Sequence, residues 1–281
     1  MPKWLSQEYA DHRERLTAEI RKNASRRPTC YEQGSFISGP SHPFFSAWEK
    51  AQPSPSLFYA PCFEVWIPHL LMKSRIPCPN CASAARLGSD GRPILLCANG
   101  WPKAPRRVVD LERCIFVIGY RYYCPHQLCK KTYLSWSPAL LSALPRGLSM
   151  LFTHHLTYRG GLTDRVVAML RSSFLRGVGP GPFAETIRIN HLHQYEHLQL
   201  QYLEIVYTRQ QSAMANLLGK FEPFGAFDDR DGYAGFVPSP RYFRDFYIYF
   251  IASHASSMDQ YTAMLSARIL QIDASFKVRK L

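Results

Sequence analysis

Two close cysteine pairs constrain this chain more than any other feature: "CPNC" at residues 78–81 and "CPHQLC" at residues 124–129. Each pair lies on a proline-containing turn between strand candidates, which is the arrangement of the two turns in a zinc ribbon. Four thiolates that meet in space satisfy tetrahedral Zn²⁺ and leave no open coordination position. The pattern therefore predicts a structural zinc site formed by Cys78, Cys81, Cys124 and Cys129.

The sequence leaves other arrangements open. The 42 residues between the pairs (82–123) exceed the roughly 15–20 of a compact ribbon, which predicts that further strands are inserted between the turns. Cys97 competes as a ligand because it ends a strand candidate, and His126 competes because it lies within the second pair. Buried thiols without any metal are the remaining alternative.

The first residues, "MPKWLSQEYADHRERL", are charged from the start and lack the apolar core of a signal peptide. They predict an intracellular protein, in which stable disulfides are rare and cysteine pairs more often bind metal. No apolar run approaches the ~18 residues of a membrane helix, so we expect no membrane partner.

The positive charge of the chain is concentrated around the cysteines. The formal net charge is +13, and residues 71–180 hold 16 basic and 4 acidic residues. Such a field attracts polyanions, although a basic surface can also serve solubility alone. Its coincidence with the cysteine pairs favours nucleic acid. The residues predicted to face phosphate are Arg106, Arg107, Arg121, Lys130 and Lys131.

Local patterns predict an α+β fold. The strand candidates are "RPILLC" (92–97), "RRVVDL" (106–111), "CIFVIGYRYYC" (114–124) and "KTYLSW" (131–136). An amphipathic helix is predicted over 5–24, a second helix from Thr163 or Asp164 to about Phe174, and a long helix from Phe183 to about Leu218.

These patterns divide the chain into five segments. We predict an N-terminal helix with a proline- and aromatic-rich stretch, a zinc-ribbon-like antiparallel β domain, a helical domain, an acidic hinge and a C-terminal segment. Their boundaries are 1–64, 65–150, 151–222, 223–238 and 239–281.

Three stretches carry a family resemblance: "IPCPNC", "GWPKAPRRVVDLERCIFVIGYRYYC" and "LTYRGGLTDRVVAMLRSSFLRGVGPGPFAE". They resemble a domain of unknown function found in fungal transposon-encoded proteins, where it precedes an RNase H-like transposase domain. The resemblance covers about residues 65–215 and the last dozen residues, where "IDASFKV" is similar to the first strand of that transposase domain. It implies that the four cysteines bind metal and that Asp273 is the first catalytic carboxylate.

The resemblance also implies a limit. A two-metal nuclease site needs several carboxylates from separate elements, and no second one follows Asp273 in the chain as given. We therefore expect a zinc-stabilised DNA-binding protein of the nucleus with a truncated transposase-like remnant and no catalysis. The alternative is a zinc-stabilised protein–protein adaptor whose positive charge serves only solubility.

Overall fold

The computed structural model describes residues 2–38, 42–211 and 220–264. The fold is α+β, as predicted. The helices are α1 (Lys3–Lys22), α2 (Thr29–Glu32), α3 (Pro43–Trp48), a 3₁₀ helix (Pro55–Tyr59), α4 (Pro68–Met72), α5 (Pro79–Ser83), α6 (Pro138–Ala143), α7 (Arg146–Ser149), α8 (Asp164–Leu175), α9 (Pro180–Gln210) and α10 (Pro240–Met264). The strands are β1 (Ile37–Ser38), β2 (Cys62–Val65), β3 (Cys97–Ala98), β4 (Arg106–Val109), β5 (Cys114–Ile118), β6 (Arg121–Tyr123), β7 (Thr132–Leu134), β8 (His154–Leu156) and β9 (Gly161–Thr163).

A six-stranded mixed sheet with the order β1-β2-β5-β4-β9-β8 forms the centre of the fold. The β2–β5 and β4–β9 pairs are parallel, and the other pairs are antiparallel. The sheet therefore joins strands from three of the predicted segments, and β4 and β5 belong to it rather than to a purely antiparallel zinc domain. The domain boundaries themselves stay a prediction.

The large sheet is strongly curled. Glu64 on β2 and His154 on β8 are four strand positions apart in the sheet order, which would separate them by about 19 Å in a flat sheet. Their side chains nevertheless meet, with His154 Nε2 at 2.8 Å from Glu64 Oε1. The outer strands therefore bend toward each other over one face, and the imidazole pairs with the carboxylate on this concave side.

The three-stranded antiparallel sheet β3-β6-β7 carries the second cysteine pair. The single strand predicted over 114–124 is divided between the two sheets, since β5 ends at Ile118 and β6 starts at Arg121. Gly119 allows this change of direction. A Cβ atom there would lie 2.3 Å from the Trp136 ring, so a larger residue could not pass so close to it.

The two faces of the large sheet bury different layers. On the convex face, Val109 and Leu162 pack with α8, α9 and α10, and Phe63 and Val65 pack with α1. On the concave face, Val108 and Val117 belong to the same buried cluster as Cys78, Cys81 and Cys124. The cysteine region is therefore continuous with the core of the large sheet.

The predicted helices form with shifted ends. The N-terminal helix is α1, and α8 starts at Asp164 behind Thr163, whose hydroxyl accepts the Val166 N–H at 3.4 Å. The long helix α9 starts at Pro180 and ends at Gln210. Among the described residues, no helix combines the length and apolar character needed to cross a bilayer.

The segment predicted as a hinge packs against two helices. The Trp4 indole on α1 donates to the Arg230 carbonyl at 2.8 Å, and the Tyr195 hydroxyl on α9 donates to the Gly225 carbonyl at 2.6 Å. These bonds tie residues 225–230 to the body of the fold.

Candidate metal centre

The four predicted cysteines come together in space. The Sγ atoms of Cys78, Cys81, Cys124 and Cys129 all lie within 4.8 Å of one another. Cys78 is 3.8 Å from Cys129, and Cys81 is 3.6 Å from Cys124. Each of these close contacts joins one cysteine of the first pair to one of the second, so the two turns face each other as predicted.

These separations fit a tetrahedral metal. A Zn–S bond of about 2.3 Å in tetrahedral geometry places neighbouring sulfur atoms about 3.8 Å apart. A disulfide would instead hold two sulfur atoms about 2.05 Å apart. The donor set, four soft thiols, also matches structural zinc sites. The cluster therefore has both the geometry and the chemistry to hold a Zn²⁺ ion.

Backbone hydrogen bonds hold each turn in place. The Cys78 N–H donates to the Ile94 carbonyl at 2.8 Å, which fixes the first turn to the strand segment before β3. The Cys124 N–H donates to the Lys131 carbonyl at 2.9 Å and closes the second turn. Lys130, which follows Cys129, has φ = 46°, so the chain reverses sharply there to enter β7.

Asn80 connects the two turns next to the thiols. Its side-chain amide donates to Cys129 Sγ at 3.3 Å, and its carbonyl oxygen accepts from Lys131 Nζ at 2.7 Å. The Tyr133 hydroxyl lies 3.9 Å from Cys78 Sγ. Groups that donate to thiolates in this way orient metal ligands and stabilise their ionised form.

Cys81, Cys124 and Cys129 have shifted pKa values. Burial raises the pKa of Cys81 and of Cys124. Burial also opposes ionisation of Cys129, but the Lys131 backbone N–H, the Asn80 amide and neighbouring thiols outweigh it and lower the pKa of Cys129 to about 7. Hydrogen bonds to the sulfur thus favour the thiolate at the more exposed end of the cluster.

The cluster is part of the protein core. Cys78, Cys81 and Cys124 are each only 1% exposed, and they share one buried cluster with Trp66, Tyr122 and others. A metal here would cross-link two segments that also contact the large sheet. Because four thiolates close the coordination shell, such a metal would stabilise the fold and would leave no position for a substrate.

The competing ligands lie outside this group. Among the residues that the structure describes, the cluster consists of the four predicted cysteines and includes neither Cys97 nor His126. Cys97 pairs in register with Tyr123 on the small sheet. Cys114 lies against the Phe236 carbonyl at 3.6 Å, and burial raises its pKa to about 12.

The five basic residues predicted to face phosphate fall into two sets. Arg121, Lys130 and Lys131 are exposed on or beside β6 and β7. Arg106 and Arg107 are half-buried and engaged within the fold. The Arg107 guanidinium lies 3.3 Å from the centre of the Phe236 ring, and that of Arg106 lies 5.9 Å from the centre of the Trp136 ring.

Three further features bear on the sequence predictions. Asp273 lies outside the described residues, so the structure describes nothing about its surroundings.

Sequence reasoning missed Asn80, although its position inside the first cysteine pair was a signal that could have identified it. It also missed the Glu64–His154 pair, whose partners no local spacing connects.

Comparison with known proteins places this chain in a family. No curated protein and no solved structure gives a significant match. A family model described as a domain of unknown function, DUF6729, matches residues 40–249, which include both cysteine pairs and both sheets apart from β1. The chain therefore belongs to the DUF6729 family.

Proposed function

We propose that this protein is a zinc-stabilised DNA-binding protein. Cys78, Cys81, Cys124 and Cys129 would hold the zinc, and their cluster supports this assignment. When bound, zinc supplies a structural cross-link between the first turn and the β6–β7 region. The zinc-ribbon-like part of the fold would be residues 76–98 and 121–136, in which the two turns and the small antiparallel sheet surround the thiols.

The observation that carries the proposal is where the exposed cations lie relative to the thiols. Arg121 is on β6, which leads directly into Cys124, and Lys130 and Lys131 directly follow Cys129. Each cation is therefore one to three residues from a metal ligand. A metal that fixes the two turns would also fix these charges as one rigid basic surface, which suits phosphate contacts.

The outer face of β6 adds an aromatic group to this surface. Arg121 and Tyr123 point outward from β6, while Tyr122 between them is 2% exposed and points into the core. Tyr123 is 40% exposed and lies in register with Thr132 on β7. A ring beside cations is suited to sugar and base contacts along a nucleic-acid backbone.

We further propose an origin in a mobile element and a location in the nucleus. The support is the sequence resemblance to fungal transposon-encoded proteins, together with the concentration of positive charge in residues 71–180. In this proposal Asp273 belongs to the first strand of an RNase H-like transposase domain, and the DNA partner is the end of the element.

The test is the salt dependence of DNA binding by the zinc-loaded protein. Fluorescence anisotropy with a labelled duplex should show affinity that falls steeply between ~50 and ~200 mM salt. The double variant Lys130→Gln/Lys131→Gln should weaken binding and lower the slope of log K against log[salt] by about 2. The matched control Lys3→Gln/Lys22→Gln, on α1, should leave the slope unchanged. Absence of binding at ~50 mM salt would refute the DNA proposal.

One observation favours the second candidate function, a protein–protein adaptor. Leu128, inside the second cysteine turn, is 78% exposed, and Leu87, after the first turn, is 57% exposed. Apolar side chains on a rigid turn suit a protein partner. An adaptor would show no salt-dependent DNA binding, and Leu128→Ser rather than Lys130→Gln would abolish its interaction.

A further inference from the structure

The hairpin of β8 and β9 ends in a tip that exposes an aromatic ring. The tip comprises residues 157–160, of sequence "TYRG". Tyr158 is 89% exposed, the highest fraction among the large apolar and aromatic residues of the described chain, and Arg159 beside it is also exposed. A ring and a guanidinium thus project side by side from the edge of the large sheet.

The backbone of this tip is held firmly. The Arg106 guanidinium donates to the Thr157 carbonyl at 3.4 Å and to the Tyr158 carbonyl. The Thr157 N–H donates to the Gly160 carbonyl at 2.8 Å, and the Thr157 hydroxyl lies 3.3 Å from the Tyr242 hydroxyl on α10. Bonds from β4, from α10 and within the turn therefore fix the point from which the Tyr158 ring projects.

This bracing gives Arg106 a role that its charge alone did not suggest. Its guanidinium contacts the hairpin tip on one side and the Trp136 ring on the other. Trp136 closely follows β7, the strand that starts beside Lys130 and Lys131. Arg106 therefore acts as a positioning residue that links the hairpin tip to the part of the fold that carries the basic surface.

We propose that the tip binds an unpaired base of DNA, with the Tyr158 ring stacked on the base and Arg159 against a flanking phosphate. This inference rests on the proposed DNA binding and adds a preference for DNA that contains an unstacked base. Every base offers a flat π face, and base–aromatic stacking tolerates any sequence. In an intact duplex those faces are covered by neighbouring bases, so a braced ring can reach only a base that is already unpaired.

The size of the tip favours a base over a protein partner. A stable protein–protein interface covers ~800 Å² on each side, far more than one ring and one guanidinium provide. A single nucleobase needs only one ring for stacking and one cation for its phosphate. A protein that docks on Tyr158 would therefore be an outcome against the proposal.

The experiment compares three DNA ligands with the zinc-loaded full chain: a duplex, the same duplex with one unpaired 2-aminopurine, and a single strand. The wild type should bind the bulged duplex about tenfold more tightly than the paired one and should change the 2-aminopurine fluorescence on binding. Tyr158→Ala should lose about tenfold in affinity for the bulged duplex and for the single strand but not for the paired duplex, and Tyr158→Phe should retain the affinity for all three.

The outcomes separate this inference from the proposed function. Tyr207→Ala, which removes another exposed ring on α9 (59% exposed), is the matched control and should bind like the wild type. If Tyr158→Ala binds all three DNAs like the wild type, the tip has no role in recognition and the inference is wrong, while DNA binding stands. If the wild type binds none of the three DNAs, both proposals are wrong. Because Tyr158 is so exposed, its replacement should leave the unfolding transition unchanged.

Discussion

Under the proposed zinc binding, replacing Cys81 by serine should release the metal and unfold the region around the two cysteine turns. Cys81 is 1% exposed and lies 3.6 Å from Cys124 across the cluster. Serine has nearly the same shape but does not supply a soft thiolate. The coordination shell would then have three ligands, and the buried hydroxyl would lie where a charged sulfur had been neutralised by the metal.

The size of the effect follows from comparing two free energies. Structural zinc contributes an apparent ~10–16 kcal/mol to folding in small zinc domains. The whole free energy of unfolding of a typical domain is only ~5–15 kcal/mol. The free energy lost with the zinc therefore exceeds the free energy of unfolding that residues 76–98 and 121–136 can supply alone. Because Val108 and Val117 share their core with the cysteines, the loss should also weaken the concave face of the large sheet.

Two measurements check this prediction. Elemental analysis should find one zinc per wild-type chain and none per Cys81→Ser chain. Hydrogen exchange should show protection lost over residues 76–98 and 121–136 in the variant and over the same residues in the wild type after chelation. Zinc should restore protection in the wild type alone.

A thiol outside the cluster provides the matched control. Cys114→Ser removes a thiol that packs against a different core and should keep its zinc. A Cys81→Ser protein that retains one zinc and wild-type protection would refute the four-thiol site. A refolded wild type with no zinc would refute it as well.

Three further substitutions test separate parts of the structure. Asn80→Ala, which removes the amide donor to Cys129, should lower zinc affinity by ~10–100-fold in a competition with a chromogenic chelator. Gly119→Ala should lower the free energy of unfolding by ~1–3 kcal/mol in urea, because the new methyl group meets the Trp136 ring. Burial and a neighbouring guanidinium lower the pKa of His12 to about 4. Because the fold favours the neutral imidazole, His12 contributes stability that is fully present above pH ~6.5 and is lost as the pH falls toward 4. His12→Gln should therefore reduce this acid-induced loss of the free energy of unfolding by about 1–2 kcal/mol, a value that allows for solvent screening.

Each of these substitutions has a matched control. Asn99→Ala changes an exposed amide outside the cysteine cluster and should leave zinc affinity unchanged. Gly147→Ala adds a methyl group with nothing within 4 Å and should leave the unfolding transition in place. His193→Gln, on the exposed side of α9, should leave the pH profile as in the wild type. Equal effects of a test variant and its control would contradict the reasoning in each case.

The parts of the fold that the sequence predicted are those set by short-range chemistry. The convergence of the cysteine pairs was predictable because a closed metal site requires all four ligands at one point. The start of α8 was predictable because Thr163 is an N-cap residue directly before an apolar stripe. The end predicted for α9, about Leu218, lies outside the described residues.

The parts that were missed depend on contacts between distant residues. Strands β1, β2, β8 and β9 have two to four residues each, too few for an alternating pattern to be recognised. Their places in the sheet come from pairing partners far along the chain, as when Cys62 lies in parallel register with Ile115. No local propensity encodes such a register, because it depends on which apolar faces are buried together.

The difference between local and long-range contacts also explains why Arg106 and Lys130 have different surroundings, although both are basic. Lys130 follows a cysteine turn whose left-handed backbone holds it at the surface, and its exposure is a local property. Arg106 starts β4, and its guanidinium reaches both a hairpin tip and the Trp136 ring in the turn after β7. From charge alone, both residues were predicted to face phosphate. In the fold, the Arg106 guanidinium donates to backbone carbonyls. The exposure of a basic side chain is therefore easier to predict from sequence in a tight turn than at the end of a central strand.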